Sequence, residues 1–119
     1  MPQLIDAPTS IPVPGGKVIN EYVGRVASST SAVSVAFMQA PAGWSEPAQT
    51  PEFDEVTLVL SGSVRLEHDD GTLLVAAGQA VITRAGERIR YTAGESGAEY
   101  VAVCLPAFAP DLAHREDED

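Results

Sequence analysis

Four carboxylates, Glu46, Glu52, Asp54 and Glu55, sit in a stretch that holds no lysine or arginine between Arg25 and Arg65. No local cation neutralises them. Glu55 leads directly into the apolar run Val56-Thr-Leu-Val-Leu60. A carboxylate drawn into apolar surroundings has its pKa raised, which suits proton transfer near neutral pH. The structural alternative is a carboxylate that only accepts hydrogen bonds from neighbouring donors and anchors the fold. Gln49 adds a carbonyl oxygen to the group. An oxygen-only ligand set drawn from these side chains would favour magnesium or manganese over iron or zinc.

The remaining reactive side chains are few. His68 stands beside the turn Asp69-Asp70-Gly71, where a solvated position is expected, and His114 lies in the C-terminal tail. Cys104 is the only cysteine, so neither an intramolecular disulfide nor a cysteine zinc cluster can form. No cation near it in sequence activates it as a nucleophile, and it reads as a small buried hydrophobe. Arg84, Arg88 and Arg90 form a local basic cluster; Arg88 and Arg90 are expected to face outward and pair with Glu87 or Glu99, and Arg84, which could reach inward toward an anionic substrate, is expected on the surface as well.

The elements that must position these groups read as short strands. Runs at about 17–27, 32–40, 55–61, 63–68, 73–77, 79–84, 88–92 and 98–105 are bounded by glycine, proline, aspartate or serine. Asp69-Asp70-Gly71 marks a hairpin, because glycine tolerates the positive φ of such turns. No long amphipathic helix is present, and the pattern predicts an all-β barrel or jelly roll. In Glu55–Leu60, Glu55, Thr57 and Val59 share one face, while Val56, Leu58 and Leu60 share the other. A strand apolar on its outer face needs a cover, and a homodimer is the expected one.

At 119 residues the chain makes one domain. Residues 1–16, with four prolines, form an expected N-terminal arm; 17–110 form the barrel and 111–119 an acidic tail. A net charge of −10 argues against nucleic acid and against anionic membranes. No basic leader or apolar span is visible, so a cytoplasmic location is expected.

Gly43, Gln49, Pro51, Glu55 and Gly62 have the spacing of the first cupin motif, G-x5-H-x-H-x3-E-x6-G. Gly78, Arg84, Gly86 and Ile89 follow the second, G-x5-P-x-G-x2-H. The chain thus resembles a cupin in which the glycines and the glutamate stand while the histidine positions are Gln49, Pro51 and Ile89. Within that superfamily it looks like the small single-domain ethanolamine-utilisation type, which also lacks the full histidine set. The resemblance implies a double-stranded β-helix barrel with Glu55 facing the lumen, where it ligates metal or acts as acid or base. Ile89 and, two residues on, Tyr91 would then face inward as well.

The resulting expectation is a small-molecule site with Glu55 and Tyr91 as catalytic residues and Gln49, Thr57, Met38, Trp44, Ile89 and Tyr100 against the substrate. The chemistry is expected to be proton transfer by an isomerase, lyase or cyclase. The alternatives are a non-catalytic ligand-binding or accessory cupin and, more weakly, a metal-dependent dioxygenase with an atypical ligand set. The cofactor is either none or a divalent metal ion; a metal, if bound, would draw on Glu55, Gln49 and His114.

Overall fold

The computed structural model describes residues 1–116, so residues 117–119 of the acidic tail lie outside it. Seven strands and one short helix follow in order: β1 (Thr9–Ile11), β2 (Val18–Val23), β3 (Ser34–Ala40), β4 (Asp54–His68), β5 (Gly71–Ala76), β6 (Ala80–Thr83), β7 (Arg90–Leu105) and α1 (Pro110–Ala113). All pairings are antiparallel, in the order β1-β2-β3-β7-β4-β5, with β6 also on β4. The arm is partly built into the sheet, because β1 pairs with β2. Among the described residues no helix is long and apolar enough to cross a membrane.

β4 and β7 each merge two of the runs read separately from the sequence, and this merger makes the barrel. The first half of β4 pairs with β6 and with the end of β7; its second half pairs with β5 and the start of β7. Between Gly62↔Ala98 and Val64↔Ala93, four residues of β7, 94–97, stand against one of β4. The ladder bends there, and both strands pass from one layer into the other. Gly62 and Gly97 adopt φ of +71° and +73°, and a Cβ on Gly62 would fall on the Gly97 carbonyl oxygen. Glycine at this corner is read as a break in sequence; in space it carries the strand through.

Two apolar clusters seal the interior. Val59, Val64, Leu66, Ile89, Tyr91 and Tyr100 belong to the larger one. At the other end Phe53, Cys104 and Ala113 pack with Phe108 and Leu112, so α1 acts as a lid; Phe53 meets Phe108 edge to face at 5.8 Å between ring centres.

The alternation read from Glu55–Leu60 holds: Glu55, Thr57 and Val59 are buried, while Leu58 and Leu60 are 40% and 50% exposed. Register places Ile82, Val56, Val103 and Val35 in one row across four strands, with Leu58, Val101 and Phe37 in the next. Asp54 and Glu99 stand at the two ends of this outer face. On a chain of net charge −10, these two rows carry no carboxylate.

Two outcomes are expected. Sedimentation at micromolar concentration should give a dimer, and Leu58→Glu should give a folded monomer, since each such side chain buried is worth roughly 1.5–3 kcal/mol; a monomeric wild type would refute this. Gly62→Ala should lower the urea-unfolding free energy by about 2 kcal/mol or more, from left-handed backbone strain plus the clash with Gly97. A loss within about 0.5 kcal/mol would show that the corner tolerates a side chain.

Candidate functional site

A cavity of about 570 Å³ opens inside the barrel, walled by β2, β3, β4, β7 and the loop around Trp44–Gln49. Of the residues singled out from the sequence, Met38, Trp44, Gln49, Glu55, Thr57, Tyr91 and Tyr100 all line it. Their convergence follows from strand alternation. Glu55 and Thr57 project from one side of β4, Tyr91 and Tyr100 from the two halves of β7, and Met38 from β3 opposite Tyr100.

Glu55 is 8% exposed and both its oxygens are engaged. The Tyr91 hydroxyl donates to Oε1 at 2.8 Å, and the Cys104 thiol contacts Oε2 at 3.6 Å. Burial raises the Glu55 pKa above the ordinary carboxylate range, against the lowering effect of the Tyr91 hydrogen bond; the Glu46 charge adds to the rise. Burial also holds the Tyr91 phenol well above its usual pKa, helped by the Glu55 charge. The Cys104 thiol is pushed up by the same burial, so it stays protonated. The arrangement is a carboxyl that can exchange a proton beside a phenol that keeps its own.

Two residues expected near substrate or metal stand elsewhere. Ile89 exchanges backbone hydrogen bonds with Gln49 at 2.9 Å and packs, 1% exposed, into the larger apolar cluster instead of lining the cavity. His114 caps α1 outside the cavity and pairs with the exposed Glu52. The basic cluster also differs from expectation: Arg88 grips Glu116 with two nitrogens, at 2.6 and 2.9 Å, rather than Glu87 or Glu99.

Two basic residues of the cavity stand outside the set read from the sequence. Lys17 enters from the start of β2, its Nζ 4.1 Å from the centre of the Trp44 ring and 5.3 Å from that of Tyr100. Arg115 reaches back from the tail; its Nη2 donates to Glu46 Oε2 at 3.0 Å and to Gln49 Oε1 at 3.4 Å. The alternation Lys17, Ile19, Glu21 was a usable signal for the first, since all three face inward. Nothing local signals the second, which depends on where α1 leaves the chain.

The residues present do not fit a divalent metal centre. Pro51 and Ile89 carry no donor atom, the Gln49 carbonyl oxygen receives Arg115, and the Glu55 oxygens receive Tyr91 and Cys104. Among the described residues no three His, Cys, Asp or Glu side chains converge as a ligand set.

No protein-family model matches the chain. It is 46% identical over 107 residues to an endoribonuclease YbeY of Myxococcus xanthus (strain DK1622), a match that takes in 89% of this chain and 36% of that protein. The chain therefore spans about a third of the length of the curated relative it matches. Three solved structures are similar in fold. Oxalate decarboxylase of Bacillus subtilis superposes with a TM-score of 0.76 at 16% identity, over 97% of this chain and 33% of its own. The Cnp3 cupin domain of Schizosaccharomyces pombe gives 0.66 at 11%, over 76% and 61%. A protein of Salmonella typhimurium LT2 named for ethanolamine utilization gives 0.62 at 19%, over 86% and 96%. At these identities the likeness is one of fold, and the fold is the cupin barrel. It does not single out the ethanolamine-utilisation type, which superposes no better than the others.

Because folding raises the Glu55 pKa, the folded chain holds that proton more tightly than the unfolded chain. Stability therefore falls as pH rises from the ordinary value of 4.5 through the folded value. Glu55→Gln removes this dependence. Urea unfolding from about pH 4 to about pH 8 should show the variant gaining on wild type as pH rises. A difference that stays constant with pH would mean that Glu55 titrates as an ordinary carboxylate.

Proposed function

We propose that the barrel binds a small organic molecule in this cavity and that Glu55, with Tyr91, moves a proton on it, as in an isomerase, a lyase or a cyclase. One observation carries the reading: a carboxyl of raised pKa is enclosed in a ligand-sized cavity with a neutral phenol on one oxygen. Ionised Glu55 is a base strengthened by desolvation. Once it holds a proton, the Tyr91 hydroxyl still orients the carboxyl, so the same group can return the proton at a second position. The working unit in this reading is the homodimer expected from the outer face of β4, β6 and β7.

A second reading is favoured by the Myxococcus xanthus relative, where the matching segment makes up 36% of a longer chain named for endoribonuclease activity. There the barrel would serve as an accessory, ligand-binding unit without chemistry of its own. The net charge of −10 speaks against this segment gripping RNA itself. A dioxygenase is supported least, because the donor set suits no divalent metal.

The test is washout of carbon-bound protons in D2O, followed by proton NMR over a panel of small oxo and hydroxy acids. Glu55→Gln should slow exchange by about 10²-fold or more while ligand affinity is kept, since the amide is isosteric but cannot act as base. Tyr91→Phe should slow it less. If wild type binds a panel member without exchanging its protons, and Glu55→Gln binds it equally, Glu55 is structural and the accessory reading takes precedence.

A further inference from the structure

We propose that the cavity takes a small monocarboxylate with an apolar body, and that the Lys17 ammonium holds its carboxylate group. This rests on the small-molecule reading above and names the ligand class for it. Three carboxylates line the cavity: Glu21, Glu46 and Glu55. Glu21 Oε2 accepts the backbone N–H groups of Val26 and Ala27, at 3.1 and 2.8 Å. Glu46 takes Arg115 at 3.0 Å, and Glu55 takes Tyr91 and Cys104. Each is engaged by a protein donor.

Lys17, the chain's sole lysine, is left over. Among the described residues it makes no ion pair and no hydrogen bond; its amine lies against the faces of Trp44 and Tyr100. Aromatic faces attract a cation, yet they replace only part of the water it has lost. Burial accordingly pulls the Lys17 pKa down, while Glu46 and Glu55 oppose that pull through space. An ammonium in this state lacks one thing, an anionic partner delivered from outside.

The cavity narrows the choice of anion. Among the described residues lining the cavity only one cation is uncommitted, because the Arg115 guanidinium already serves Glu46 and Gln49. A phosphate dianion calls for a denser set of donors than one ammonium provides. A monocarboxylate matches a single ammonium. Ile19, Met38, Phe53 and Phe108 on the other walls call for an apolar body rather than a sugar-like one.

Trp44 is the only tryptophan and touches Lys17, so its fluorescence reports occupancy directly. The probes are hexanoate and phenylacetate, each titrated beside its uncharged amide. In wild type at least one acid should bind about tenfold or more tighter than its amide, the scale of a charge-assisted contact. Lys17→Met keeps the apolar stem on Trp44 and should erase that preference while leaving amide binding unchanged; Lys17→Arg should keep most of it. Equal affinity for acid and amide, or a preference that survives Lys17→Met, overturns the carboxylate assignment alone. Absence of binding by all four probes at millimolar concentration overturns it together with the small-molecule reading.

Discussion

The hydrogen bond from the Tyr91 hydroxyl to Glu55 Oε1 spans the barrel rather than a ladder. Glu55 sits opposite Thr83 and Cys104, while Tyr91 sits opposite Leu66, more than a corner away along β4. The bond can form only because β4 and β7 cross from one layer into the other. That crossing depends on the left-handed glycines Gly62 and Gly97 and on the three extra residues of β7 at the bend. A carboxyl this deeply buried without a donor would be costly. Among the described residues every buried side-chain nitrogen and oxygen has a partner.

Much of this geometry was legible in the sequence because it is local or periodic. Alternation over Glu55–Leu60 sets which side chains enter the lumen, and the structure follows it residue by residue. The Asp69-Asp70 turn joins β4 to β5 with His68 paired to Gly71, as its glycine required. Glycine spacing pointed to the barrel. The same glycines hid the length of β4 and β7, since a bulge and a strand end have one signature in sequence.

What stayed hidden depends on distant segments. Ile89 shares a face with Tyr91, but the bridge to Gln49 folds the loop over it, and its side chain joins the core while Tyr91 reaches the cavity. Arg115 is separated from Glu46 by most of the chain, and only the turn made by α1 brings them together. His114, its neighbour, projects the other way to Glu52. One residue of offset in a tail thus decides which basic group serves the cavity.

The two ends of the chain therefore do electrostatic work that the strands cannot. An interior with three carboxylates would be hard to keep in a chain with seven basic residues, unless some of those residues were folded inward. The segment just before β2 contributes Lys17 and the tail contributes Arg115; among the described residues the first makes no ion pair and the second pairs with Glu46. Glu55 and Lys17 sense each other through space, each favouring the other's charged form. A carboxylate seated on Lys17 changes that balance. Its negative charge favours the ammonium and at the same time raises the proton affinity of Glu55. On the proposed reading, ligand entry would make Glu55 a stronger base at the moment a substrate proton came within reach, and binding and proton transfer would be coupled through one lysine.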